Sequence, residues 1–303
     1  MHFFTAVFAW LVIGLACASG ASAETYGAVG GEGASLRAQQ WLVPSGDAAV
    51  AALAILYRPA GYGPFRLAVI AHASTQNVLR RAQMPQPDYK PLAAFLVSRG
   101  FAVLVPERPG HGATGGPYLE DQGGCDEADY VRSGHATADE IAAALRFMRT
   151  QPFVQPDRAI VIGHSAGGWG ALALAASDPR EIAAIIAFAP GRGGHANDRD
   201  NEVCAPHTLL AAASALGKAA RVPVTWLVAA NDSYFSPELS RRLADAFRAA
   251  GGKVQFSVLP PYGSEGHWMA ETEAGVRSAE SVLARALKAD VSGTAEKKTA
   301  EKP

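Results

Sequence analysis

The stretch Arg158-Ala159-Ile160-Val161-Ile162-Gly163-His164-Ser165-Ala166-Gly167-Gly168 decides the reading of this chain. Its first half is a short apolar run of the kind that forms a buried strand. Its second half matches G-x-S-x-G, in which a serine is held on a sharp turn between a strand and a helix. The flanking glycines remove side chains that would clash in such a turn, and the N-terminus of the following helix points at the hydroxyl. In a chain with 31 glycines the five-letter pattern needs context. It has it: the apolar run stops at Ile162, one residue before Gly163, and the small-residue segment Gly167–Ala176 follows at once. Ser165 is therefore a candidate nucleophile.

The same rhythm continues on both sides. Strands are expected at Ala49–Tyr57, Arg66–Ala71, Phe101–Val105, Arg158–Ile162, Ile182–Phe188, Pro223–Ala229 and Lys253–Leu259. Helices are expected at Pro91–Arg99, Thr137–Thr150, Gly167–Ala176, Pro237–Ala250 and Glu271–Lys288, several with capping residues such as Ser236 before and Gly251 after. Strands that are near-continuous apolar runs, alternating with helices, predict an α/β fold: a mostly parallel sheet of about eight strands with helices on both faces. In such sheets ligands bind at the carboxyl ends of the strands.

A serine hydroxyl needs a base, and the base an orienting acid. On a strand–elbow–helix scaffold the chain order is serine, acid, histidine. His72, His111, His135 and His164 precede Ser165, and His195 and His207 precede any acid after the strand Pro223–Ala229. His267, in the Gly-rich loop after the last strand, is the expected base. Asp232, two residues past the penultimate strand, is the expected acid, with Asp198, Asp200 and Glu265 as rivals. Oxyanion donors are expected from the Ala166 N–H and from the loop after Arg66–Ala71, with Ser74 favoured, its hydroxyl assisting, and Ala73 as the rival; His72 reads as a packing residue. Trp169, Tyr234, Phe235 and Trp268 are the aromatics nearest this chemistry, and Trp169, Tyr234 and Trp268 are candidate substrate contacts. Gly191–Val222 is the largest insertion between strands, and Leu209–Leu216 within it is a candidate lid helix, with the loop Gly112–Gly134 as the facing wall. His195, Asp198, Asp200, Cys204 and His207 fit no regular zinc spacing, so no metal is expected.

These motifs resemble the α/β-hydrolase superfamily, closest to its dienelactone-hydrolase-like and prolyl-oligopeptidase-like esterases. The resemblance covers roughly residues 40 to 290. It rests on His72-Ala73-Ser74, Glu107-Arg108-Pro109-Gly110-His111-Gly112, the elbow, Asn231-Asp232 and Gly266-His267. Ala73 stands where the family usually has glycine, and Ser165 where dienelactone hydrolases proper have cysteine. The resemblance implies hydrolysis of a carboxylic ester through an acyl-serine, without a cofactor. A peptidase or amidase on the same scaffold, or an inactive binding protein, are the alternatives.

Composition bounds the rest. With 303 residues, 49% of them hydrophobic, the chain is long enough for one large domain, placed at 24–290. A formal net charge of -1 without a basic stripe excludes an electrostatic footprint for nucleic acid. Phe3–Ala16 is almost wholly apolar and Ala21-Ser22-Ala23 resembles a cleavage site, so residues 1–23 read as a signal peptide that leaves no stable membrane span. That predicts a periplasmic or secreted protein acting on a small-molecule ester. Cys17 leaves with the leader, and Cys125 and Cys204 remain as an even pair, expected to form a disulfide worth roughly 4 kcal/mol. Residues 291–303 are charged and lack large apolar side chains, which predicts a disordered tail.

Overall fold

The computed structural model describes residues 26–156, 158–177 and 180–300, the side chains of 289–300 excepted. The expected leader lies outside the described residues. Among them, nine strands form one sheet: β1 (Gly27–Val29), β2 (Gln39–Pro44), β3 (Ala51–Tyr57), β4 (Arg66–Ala71), β5 (Phe101–Pro106), β6 (Ala159–His164), β7 (Ile182–Phe188), β8 (Val224–Ala229) and β9 (Val254–Leu259). Their order is β1-β2-β3-β5-β4-β6-β7-β8-β9. The first three strands are joined antiparallel, and β3 pairs antiparallel with β5. From β5 to β9 every neighbouring pair is parallel. The count exceeds the expected eight because β1 and β2 precede the seven strands expected from the sequence.

The central strands are buried along their whole length, so period-2 alternation sends successive side chains to opposite cores rather than to core and solvent. Leu67, Val69 and Ala71 of β4 face one core, and Ala68 and Ile70 the other. The first core is closed by α3 (Tyr130–Arg149), α4 (Ala166–Leu174), α5 (Pro206–Ala219) and α6 (Pro237–Ala249). The second is closed by α2 (Lys90–Val97) and α7 (Glu273–Ala300). Each aliphatic side chain fully buried this way contributes about 1.5–3 kcal/mol. The remaining helix, α1 (Val78–Ala82), is a single short turn capped by Asn77.

Two sequence expectations change shape here. The insertion after β7 does border the site, but through its loop Gly191–Cys204 rather than its helix. α5 turns Leu209, Ala212, Ala213 and Leu216 into the first core and packs on α6. Its apolar stripe demands burial, which a mobile lid over water would deny. The backbone of α7 continues as helix to Ala300, where the composition predicts an unstructured tail; Ala295, Glu296, Lys297, Lys298 and Ala300 are strong helix formers.

The strand order fixes where a ligand sits. β4 has β5 on one side and β6 on the other, so the connections leaving β4 and β6 diverge and open a crevice at their carboxyl ends. The loop after β4 begins at His72, and the turn after β6 holds Ser165.

Candidate active site

A cleft of about 950 Å³ opens at this switch point. His72–Asn77, Ser165, Ala166, Tyr234, Phe235 and Trp268 are among its lining residues, as are Tyr118 and Gln122–Cys125 from the expected facing wall. Ser165 occupies the turn between β6 and α4 with φ 54 and ψ −118, a conformation that costs a residue with a side chain of order 1–3 kcal/mol. Close packing explains the glycines around it. A Cβ on Gly163 would lie 2.4 Å from the Gly167 carbonyl oxygen, and one on Gly167 would lie 2.2 Å from that of Ala71. The elbow therefore rests directly on the end of β4, beside the His72–Thr75 loop.

Asp232 and His267 meet from two different loops. Asp232 Oδ2 accepts a hydrogen bond from His267 Nδ1 at 2.9 Å, and Oδ1 accepts from the backbone N–H groups of Tyr234 (2.9 Å) and Phe235 (2.8 Å). Both side chains are buried. Burial pulls the His267 pKa below 6.5, and Asp232 offsets part of that. Of the rival acids, Glu265 caps the 3₁₀ turn Gly266–Glu271 by accepting from the His267 backbone N–H at 2.9 Å, so it holds the loop rather than the ring. Asp198 bonds Arg80, and Asp200 lies 3.4 Å from His195. Asn231 anchors the two loops: its Oδ1 accepts from Tyr262 N and its Nδ2 donates to the carbonyls of Tyr262 and Gly263.

His267 and the Ser165 hydroxyl make no hydrogen bond to each other, and the residues on either side bring their loops together. On one side His164, adjacent to Ser165, donates from Nε2 to the His267 carbonyl at 2.8 Å, with ring centroids 4.9 Å apart. On the other, Gly191 N–H donates to the Ser165 carbonyl, a Cβ on Gly191 would lie 2.5 Å from the Phe235 ring, and Phe235 is 5.8 Å from His267. Such contacts are often long in unliganded sites, and serine has three staggered χ1 wells to choose from. Tyr234 covers the imidazole, stacked on His267 at 4.2 Å and on His195 at 3.6 Å.

The loop after β4 separates the two oxyanion candidates. The Ala73 N–H already donates to the Tyr89 hydroxyl at 3.1 Å, which removes it. Ser74 stays on the cleft wall beside Ala166, the first residue of α4, whose N–H belongs to the helix's unpaired first turn. The Ser74 hydroxyl, however, does not face an oxyanion. His111 Nδ1 lies against the carbonyls of Arg108 and Pro109 and so carries the proton, leaving Nε2 to accept from Ser74 Oγ at 2.7 Å. His72 is the packing residue expected: buried, it bonds the Ala73 carbonyl through Nδ1 and accepts from Arg108 N–H through Nε2.

Three features were not visible in the sequence. Tyr89, at the N-terminus of α2 and buried, places its hydroxyl 2.9 Å from His164 Nδ1 and 3.3 Å from Glu271 Oε1, so one residue ties the β4 loop, the elbow and the His267 turn together. His195 carries the outer ring of the aromatic stack. Beneath the cleft, Glu120 accepts from both Arg108 and Arg192, and Arg192 reaches Tyr118 and Thr137 as well. These partners lie far apart in sequence and leave no local pattern. With Glu120 gone, two buried guanidinium groups lose their shared counter-charge, a loss of about 3–5 kcal/mol. Glu120→Ala is expected to lower unfolding stability by that amount in urea titration, against a smaller drop for Glu120→Gln; a change under about 1 kcal/mol contradicts the account.

One sequence expectation is corrected outright. Trp169 lies in the first core, fully buried, with its indole N–H donating to the Tyr130 carbonyl at 2.7 Å. It sits on α4 facing α3, away from the cleft, because every residue of that helix is buried. Tyr234 and Trp268 do line the cleft, and so does the disulfide between Cys125 and Cys204. Among the described residues no group of three or more His, Cys, Asp or Glu side chains is arranged to hold a metal ion. Nor, among them, is any helix long and apolar enough to cross a membrane.

Sheet order, elbow and an acid–histidine pair carried on the loops after β8 and β9 define the class: this is the α/β-hydrolase fold. A family model described as serine aminopeptidase, S33, matches residues 87–220, a stretch that contains Ser165 and ends before Asp232. An esterase of Pyrococcus furiosus is similar in structure at 16% identity and TM-score 0.57, over 83% of this chain and 91% of that one. A cold-adapted esterase from an Arctic intertidal metagenomic library is similar at 19% identity and TM-score 0.55, over 84% and 98%. An acylaminoacyl peptidase of Pyrococcus horikoshii is similar at 16% identity and TM-score 0.53, over 80% of this chain and 39% of that one. No curated protein matches the chain in sequence.

Proposed function

We propose that this protein is a serine hydrolase that cleaves a carboxylic ester through an acyl-serine intermediate. The observation that carries the reading is the buried Asp232–His267 hydrogen bond beside an elbow serine on the wall of one cleft. In this reading neutral His267 takes the Ser165 proton as the hydroxyl attacks the ester carbonyl. The oxyanion that forms is held by the N–H groups of Ala166 and Ser74. The imidazolium, stabilised by Asp232, then gives its proton to the leaving alcohol. Water repeats the sequence on the acyl-serine and frees the acid. Two similar solved structures are esterases, which supports an ester substrate.

A peptidase or amidase with the same machinery is the second reading, favoured by the family model matching residues 87–220. Turnover of nitrophenyl esters of graded acyl length, beside aminoacyl amides, separates the two, and labelling by a fluorophosphonate probe tests the serine itself. Ester turnover with labelling is expected; a native chain that is neither labelled nor active excludes a serine mechanism.

Base catalysis requires the uncharged imidazole. Because burial holds the His267 pKa below 6.5, the acid limb of kcat/KM should fall below pH 6.5, with activity flat above it. A limb centred above pH 7 would remove His267 as the base. The Cys125–Cys204 bond supports a location in an oxidising compartment, periplasmic or secreted.

A further inference from the structure

The end of the cleft on the His267 side is aromatic and acidic. Trp268 stands edge-on to Tyr234 (5.7 Å, 78°), to His267 (5.2 Å, 85°) and to His164 (5.7 Å, 87°). Glu271 closes the same 3₁₀ turn and approaches the same His164, Oε1 lying 3.3 Å from Nδ1. One imidazole therefore has the indole and the carboxylate as neighbours. Both also open on the cleft: Trp268 is 39% exposed and the Glu271 side chain 40%.

The partners of Glu271 all fall on one oxygen. Oε1 takes the Tyr89 hydroxyl and His164, while Oε2 has no partner among the described residues. Burial pushes its carboxyl up, but the hydrogen bond and charge of His164 outweigh this and hold it below the usual value, so it is ionised at neutral pH. Of the cations that line the cleft, Arg80 pairs with Asp198 at 3.4 Å and Arg192 shares Glu120 with Arg108. Asp88, exposed on the cleft wall, adds a further negative charge. An ionised carboxylate oxygen on the cleft wall beside the exposed indole of Trp268 suits an ammonium group, which aromatic faces attract by their quadrupole.

Position tells which half of the substrate carries that group. His267 protonates the leaving group, so the wall built by Trp268 and Glu271, in the same turn as His267, flanks the leaving side of the scissile bond. We propose that Trp268 and Glu271 form a subsite for a positively charged alkylammonium substituent on the leaving alcohol. This rests on the serine-hydrolase reading above and deepens it.

The test compares choline butyrate with 3,3-dimethylbutyl butyrate, an ester of the same shape with carbon in place of the charged nitrogen. The native chain is expected to favour the charged ester roughly fivefold to thirtyfold in kcat/KM. Glu271→Gln and Trp268→Leu should each pull that ratio toward one. The ratio is the readout because a general loss of activity in either variant cancels from it. A native ratio near one, or a ratio untouched in both variants, overturns the proposal. Choline binding by calorimetry is measured in parallel: binding that is lost in Glu271→Gln supports the subsite, and absent binding overturns it. If neither ester is hydrolysed while the nitrophenyl esters are, the subsite proposal is overturned; if the nitrophenyl esters and the fluorophosphonate probe also fail, the hydrolase reading falls and choline binding alone decides the subsite.

Discussion

Ser165→Ala is expected to lower ester turnover by on the order of 10⁵–10⁶-fold and to abolish fluorophosphonate labelling. The size follows from what the elbow does. Its φ of 54 holds the Cβ of residue 165 up into the cleft whichever small residue stands there, so the substitution removes one oxygen and leaves the turn in place. The proposed oxyanion donors remain, because they are backbone N–H groups of Ala166 and Ser74. What survives is the catalysis those donors and substrate binding supply without a nucleophile. Circular dichroism and the thermal midpoint should barely move. Undiminished labelling in the variant would place the nucleophile elsewhere.

Asp232→Asn should cost about 10⁴-fold in kcat while leaving the fold intact. The hydrogen bonds around Asp232 dictate how the amide must lie. Oδ1 accepts from two backbone N–H groups, so the amide oxygen has to take that position. The NH₂ group is then turned toward His267 Nδ1, at the place where Oδ2 accepts now. A donor there forces Nδ1 to be the acceptor and moves the ring proton to Nε2. The nitrogen that should receive the serine proton is then already protonated. The carboxylate also raises the His267 pKa, so the residual activity should show an acid limb shifted to lower pH. A loss below about tenfold would assign the orienting role to another acid, with Glu265 next in position.

Much of this scaffold could be read along the chain because buried parallel strands are continuous apolar runs. Arg66–Ala71 and Ile182–Phe188 match β4 and β7 residue for residue. β2 was hidden because Gln39, Gln40 and Pro44 interrupt its apolar pattern, and β1 because three residues carry no periodicity. α3 begins at Tyr130 rather than Thr137; Ser133 and Gly134 are poor helix formers, and the Asp129 cap that starts the helix was the missed signal. At the site, Ser165 was read from its motif between an apolar run and a small-residue helix, and Asp232 and His267 from chain order and their places after the last two strands. Trp169 misled because proximity in sequence to the elbow says nothing about which side of α4 faces the sheet. The Tyr89–His164–Glu271 contact and the Glu120 ion cluster are products of tertiary packing, joining residues up to 182 positions apart.

The bond between Cys125 and Cys204 has a mechanical meaning for how substrate arrives. It joins two stretches of the cleft rim, Gln122–Cys125 and the loop from Gly191 to Cys204, so these margins shift together as one body. The opposite margin, around α1, meets them across the mouth through the exposed Arg80–Asp198 pair, which contributes at most about 1 kcal/mol. One margin of the mouth is thus held covalently, and the other is tied to it only by an exposed ion pair.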